Sequence, residues 1–211
     1  MKIKVCGMKH PENIQQLIQL PIDFMGLIFY SKSPRYVVEL NPKHLSNLPS
    51  NIKKVGVFVN AELQEVENRV KEYFLDYVQL HGKETVEYIK ELRIKIPNLR
   101  IIKAFSIAEI EDIEKTEEYE EVCDYLLFDT KTPQHGGSGK KFDWTILNNY
   151  KGETPFFLSG GISLEDTEEI QKIQHKKLYA LDLNSKFELK PGLKDIKQLD
   201  KFLNKIKRYN Q

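Results

Sequence analysis

Eight short runs of β-branched, aromatic and aliphatic residues recur at fairly even intervals, and this rhythm limits the fold more than any other feature. They are KIKVC (2–6), FMGLIFY (24–30), KKVGVFVN (53–60), DYVQLHG (76–82), RIIKAFS (100–106), DYLLFDT (124–130), TPFFLSGG (154–161) and KLYALDLN (177–184). Most are apolar on both faces, as strands buried between two layers should be. Amphipathic stretches separate them. Leu63, Val66, Val70 and Phe74 share one face at helical spacing, as do Ile196, Leu199, Leu203 and Ile206. Pro11 stands where a first-turn proline is tolerated, and Ser163 with Asp166 reads as a capping box. Each run is followed by a helix or by a stretch long enough for one. Eight such units close most economically as an α/β fold of the (β/α)8 barrel type, one domain over residues 1–211. The alternative is an open doubly wound sheet, which binds ligands where the strand order reverses.

Composition narrows the partners. With 32 basic against 31 acidic residues, the net charge of +1 leaves no concentrated basic face for a nucleic acid. Two cysteines, Cys6 and Cys123, are too few for a disulfide framework. The start MKIKVCGMKHPENIQ lacks the apolar core of a signal peptide, and no run approaches the ~18 apolar residues of a membrane span. A cytoplasmic chain with no membrane partner is expected. The acidic run EIEDIEKTEEYEE (109–121) reads as a solvated helix face. Nothing in the sequence separates a monomer from a homodimer.

In a barrel of this kind the active site lies at the carboxyl ends of the strands. Cys6 ends the first run, Arg35 lies in the loop after the second, His81 ends the fourth and Asp129 the sixth. Gly160 and Gly161 follow the seventh, while Asp182, Asn184 and Ser185 close the eighth. Singly each has a plain reading: a small core cysteine, a turn-capping aspartate, a hydrogen-bonded structural histidine. Cys123, ahead of the sixth run, takes that plain reading. Together the others put acid–base chemistry on one rim.

The glycines point to phosphate. A glycine pair lets backbone N–H groups approach an anion closely, helped by a following helix N-terminus, and loops seven and eight are the usual phosphate site of such barrels. The stretch TKTPQHGGSGKKFDW (130–144) suits a mobile lid or substrate loop. It lacks the GxxxxGK[ST] spacing, so a nucleotide-hydrolysing reading falls there.

The chain resembles the phosphoribosylanthranilate isomerase family. The resemblance is carried by KVCGM (4–8), GLIFYSKSPRYV (26–37), VGVFVN (55–60), VQLHG (78–82), LLFDT (126–130), HGGSGKKFDW (135–144), PFFLSGGI (155–162) and LDLNSKFELKPGLKD (181–195), in order along the chain. It implies the same barrel and an Amadori rearrangement of N-(5-phosphoribosyl)anthranilate to 1-(2-carboxyphenylamino)-1-deoxyribulose 5-phosphate, a step of tryptophan biosynthesis. No metal or organic cofactor is implied. The family's base maps onto Cys6, its acid onto Asp129, and the arginine near the anthranilate carboxylate onto Arg35. Its phosphate-binding backbone maps onto Gly160, Gly161 and the turn at Ser185 and Lys186. His81 and Asp182 fall in matching segments as further substrate-site residues.

These roles make chemical demands. Asp129 must act protonated, although a free aspartate titrates near ~3.9, and Cys6 needs thiolate character against a reference near ~8.5. Burial at the rim is expected to favour the neutral acid, and the positive end of a nearby helix to assist the thiolate. Arg35 offers a planar fork for a carboxylate. One departure stands out: Lys186 occupies a position where the family usually has glycine, which calls for an unusual backbone or a reshaped turn, with the ammonium itself a candidate phosphate ligand. Rival barrel isomerases and synthases of histidine or indole biosynthesis would need an aspartate in place of Cys6, or a lysine acid with a glutamate at strand ends. A degenerate barrel kept for binding would not need both Cys6 and Asp129.

Overall fold

The computed structural model describes residues 1–130 and 143–208. Eight parallel strands follow chain order: β1 (Lys2–Val5), β2 (Phe24–Ile28), β3 (Lys53–Phe58), β4 (Tyr77–Leu80), β5 (Arg100–Ile107), β6 (Tyr125–Thr130), β7 (Phe156–Ser159) and β8 (Leu178–Leu183). β8 returns to β1, pairing Lys4 with Asp182 and Val5 with Leu183, and so closes the barrel. The open-sheet alternative is thereby excluded. Most strands end one or two residues before their apolar runs do, because the last residues leave the ladder to build the site.

Strand side chains alternate between faces, and here the two faces form separate cores. Val5, Phe58, Leu80, Phe128, Leu158 and Leu181 point outward into the layer shared with the helices. Val55, Ile102, Ala104, Leu127, Phe157 and Ala180 fill the interior. The amino-terminal end of the barrel is closed by one aromatic from each even-numbered strand: Phe24, Tyr77, Tyr125 and Tyr179. Successive ring centroids lie 5.3, 6.0, 4.8 and 6.2 Å apart around this layer. Layers drawn from alternate strands are how such barrels fill. With the bottom plugged by rings, the barrel interior opens toward its carboxyl end.

The outer layer is less regular than the sequence promised. α1 (Pro11–Leu17) starts on its proline, and α2 (Leu63–Tyr73), α3 (Val86–Lys95) and α6 (Ile196–Arg208) are well formed. Between β2 and β3 there is only a 3₁₀ turn, Pro42–Leu45, and after β6 another, Trp144–Asn149. The acidic run breaks into α4 (Ile110–Glu114) and a 3₁₀ turn, Glu117–Tyr119, rather than forming one solvated helix. The predicted face of α2 needs a correction. Val66, Val70 and Tyr73 are buried, whereas Phe74 is 76% exposed and caps the helix in the left-handed conformation, φ 51°. The Ser163–Asp166 capping box is present, ahead of a 3₁₀ turn that runs into α5 (Thr167–Gln171). Past β8 a short antiparallel hairpin, β9 (Glu188–Lys190) and β10 (Leu193–Lys194), precedes α6. Of the expected lid, residues 131–142 lie outside the described residues. No described helix is long and apolar enough to cross a membrane.

Candidate active site

At the carboxyl end of the strands lies a cavity of about 240 Å³ whose walls include Cys6, Arg35, His81, Asp129, Gly160, Gly161, Asp182 and Ser185. All the predicted site residues except Lys186 therefore meet in one place. The two-residue period explains the convergence. Lys4 and Cys6, Gln79 and His81, Leu127 and Asp129, and Asp182 and Asn184 each continue an inward face upward from the apolar interior.

Beneath Cys6 sits a buried ion pair. Lys4 Nζ lies 2.7 Å from Asp182 Oδ2, with side-chain exposures of 0% and 5%. The same ammonium lies beside Cys6, two residues further along the same inward face, and its charge acts on the thiol. Burial works against the Lys4 charge, but Asp182 and Cys6 beside it outweigh burial and hold the ammonium above its ordinary range. Burial also pushes Asp182 and the Cys6 thiol upward, opposed in both cases by Lys4. The expectation of a helix-assisted thiolate is thus corrected. Cys6 is held as a thiol by desolvation, and the cation that opposes this comes from the strand beneath it. Asp182 Oδ1 is buried without a hydrogen-bond partner among the described residues, as is Gln79 Oε1. Cys123 is a buried core residue, its thiol pushed up to about 12 by desolvation.

Across the cavity His81 Nε2 stands 3.5 Å from Asp129 Oδ2, and the Asp129 side chain keeps 20% exposure. Gln79 Nε2 lies 2.8 Å from His81 Nδ1. On the third wall Arg35 is engaged rather than free. Its Nε donates to Glu188 Oε1 at 2.9 Å and its Nη2 to Glu188 Oε2 at 2.6 Å. Lys194 Nζ reaches Glu188 Oε1 at 2.7 Å and Asn184 Oδ1 at 2.7 Å, so the hairpin clamps the β2 loop to the β8 loop. Burial raises Glu188, but Arg35 and Lys194 overcome this and hold its carboxyl below the usual range.

The glycine pair is needed for its backbone. Gly160 has φ 108°, and a Cβ there would sit 2.2 Å from Thr130 O; Gly161 has φ 67° and opens onto free space. The helix that follows is only a five-residue α5 behind a 3₁₀ turn, so help from its dipole is small. Lys186 lies exposed on the 3₁₀ turn Ser185–Phe187 and is not part of the cavity wall. Among the described residues only Asn60 and Phe74 are non-glycine positions with positive φ, so the turn accommodates Lys186 without strain.

Comparison with known proteins decides which barrel this is. The family model for N-(5'-phosphoribosyl)anthranilate (PRA) isomerase matches residues 3–205. The chain belongs to this family. The N-(5'-phosphoribosyl)anthranilate isomerase of Parabacteroides distasonis is 48% identical over 208 residues, 98% of this chain and 93% of the relative. That of Phocaeicola vulgatus is 44% identical, covering 98% of both chains. The crystal structure of phosphoribosyl anthranilate isomerase from Thermotoga maritima superposes with a TM-score of 0.85 at 31% identity, covering 99% of each chain. A second isomerase structure, in complex with reduced 1-(o-carboxyphenylamino)-1-deoxyribulose 5-phosphate, gives 0.83 at 27% identity over 99% of each. The chain is accordingly an isomerase enzyme of tryptophan biosynthesis.

Four further residues of this isomerase barrel, Lys4, Gln79, Glu188 and Lys194, join the site without standing at the end of a sequence run. Lys4 and Gln79 each stand two residues before a predicted site residue, a spacing that was itself a signal for the same inward face. Glu188 and Lys194 belong to the unforeseen hairpin. Its Pro-Gly turn, with Gly192 at φ 85°, was the mark it left in the sequence.

Proposed function

We propose that this chain, acting as one cytoplasmic barrel domain, converts N-(5'-phosphoribosyl)anthranilate to 1-(o-carboxyphenylamino)-1-deoxyribulose 5-phosphate, with Asp129 as acid and Cys6 as base. The observation that carries the reading is one cavity lined at once by Cys6, Asp129, Arg35 and the Gly160–Gly161 pair. The complex of the related isomerase with the reduced product supports it.

Asp129 delivers a proton to the furanose ring oxygen, and the ring opens to a Schiff base. Cys6, on the first strand, removes the proton from the sugar's second carbon, giving an enamine that tautomerises to the ketone. The phosphate lies against the backbone of Gly160, Gly161 and the turn at Ser185, where N–H groups donate to it. His81 and Asp182 face the sugar between these ends. Arg35, with its guanidinium oriented by Glu188, faces the anthranilate carboxylate. Lys186, pointing to solvent, contributes at most long-range charge.

The test is turnover of phosphoribosylanthranilate by the purified chain, followed as loss of its fluorescence. Cys6→Ser and Asp129→Asn should each lower kcat by ~10²–10⁴, the usual worth of a positioned acid or base. Near-native turnover in either variant removes that residue from its role.

A further inference from the structure

We infer that Lys4 is a positioning residue for Cys6: one buried ammonium serves both Cys6 and Asp182, so a single negative charge passes between them, and Cys6 ionises as Asp182 takes up a proton. This rests on Cys6 being the base, but the ionisation can be read without any turnover.

The geometry leaves Lys4 little other purpose. It is fully buried, points up the barrel axis two residues below Cys6, donates to Asp182 Oδ2 at 2.7 Å, and holds its charge close beside the Cys6 thiol. One ammonium balances one anion. A thiolate and a carboxylate together would leave the pocket floor with an unmatched buried charge, which desolvation penalises heavily. The unpartnered Oδ1 of Asp182 points the same way, since a buried carboxylate oxygen without a donor is a poor home for negative charge and a good one for a proton. In the exchange the Sγ–H bond of Cys6 is lost, an O–H bond forms on Asp182, and Lys4 remains an ammonium. The net charge of the cluster does not change. Cys6 also feels the Lys194 and Arg35 charges from β10 and the β2 loop, and Asp182 feels His81 just past β4 and Asp129 on β6. These surroundings are common to every variant below.

The arrangement makes an opposed pair of expectations that a purely structural ion pair does not. Removing the cation in Lys4→Met should suppress the thiolate. Removing the competing acid in Asp182→Asn should give Lys4 wholly to Cys6 and promote the thiolate. The experiment is the pH dependence of Cys6 alkylation by iodoacetamide in the folded protein, read peptide by peptide, with Cys123 as the inert internal control. At neutral pH alkylation of Cys6 should slow about tenfold or more in Lys4→Met and quicken about tenfold or more in Asp182→Asn, tenfold being one unit of thiol pKa. Lys4→Arg, which keeps the charge, should restore most of the wild-type profile. An Asp182→Asn protein that alkylates no faster than wild type, or a Lys4→Met profile superimposed on the wild-type one, overturns the inference. If Lys4→Met does not fold, the sign seen in Asp182→Asn decides alone. Should Cys6→Ser retain turnover, the base assignment fails while the alkylation result still reports on the shared charge.

Discussion

Gln79 Nε2 stands 2.8 Å from His81 Nδ1, which ties the histidine's tautomer to the orientation of the amide. With the amide nitrogen donating, Nδ1 accepts and the neutral ring carries its proton on Nε2, the atom that faces Asp129 at 3.5 Å. In Gln79→Leu the ring loses this constraint. Nitrogen chemical shifts should then show a mixed tautomer in place of the Nε2–H form, and kcat should fall roughly tenfold, about 1.4 kcal/mol of transition-state stabilisation. An unchanged tautomer would separate Gln79 from the site.

The two glycines after β7 should respond very differently to a methyl group. At Gly160 the new carbon would meet Thr130 O at 2.2 Å with φ at 108°, whereas at Gly161 it would meet nothing and only φ is unfavourable. Gly160→Ala should cost about 3 kcal/mol, from left-handed strain plus overpacking, and Gly161→Ala about 1 kcal/mol. Urea unfolding midpoints measure the difference. Equal losses would mean that the β6–β7 contact at Thr130 does not hold this loop.

Glu188 makes acid stability a test of the hairpin clamp. Arg35 and Lys194 hold its carboxyl below the usual range, so the folded state binds its proton less readily than the unfolded chain. Such a group stabilises above the unfolded pKa, near ~4.3 for glutamate, and this contribution is lost as pH falls through the lower folded value. The melting-temperature gap between wild type and Glu188→Gln should therefore be constant at neutral pH and shrink below about pH 4.3. A gap independent of pH would show that the pair adds nothing through ionisation. The same variant should raise KM through a loosened Arg35.

Phe74 is the cheapest residue to improve. It caps α2 with φ 51° while exposing three-quarters of its side chain, and its compensation is Lys54 Nζ, 5.7 Å from the ring centroid. Glycine suits the left-handed cap, so Phe74→Gly should stabilise the protein by about 0.5–1 kcal/mol after the lost cation–π contact. Thermal denaturation checks the sign.

The strands were legible because burial on both faces leaves an apolar run with no phase to misread. The outer layer was less so. Pro42 opens and Pro49 cuts short the stretch available for a helix in the β2–β3 connection, and a 3₁₀ turn takes its place. At the site, residues that end a strand were visible, since each follows an apolar run. Their inward neighbours one step deeper were not. Lys4 inside KIKVC and Gln79 inside VQLHG look like solvent-facing interruptions, and only closure of the barrel turns that polar face inward. Arg35 was found but its partner was not, because Glu188 is 153 positions away and on a hairpin too short to carry a pattern.

The join between the first and last strands has a consequence for how the enzyme comes into being. Lys4 and Asp182 lie 178 positions apart and meet only where β8 closes on β1. During synthesis the first strand waits, its lysine and cysteine without their carboxylate neighbour, until the 178 positions up to Asp182 have also emerged. No shortened product of translation can hold a completed acid–base pocket. Onset of activity in a translation time course would mark the moment the ring shuts.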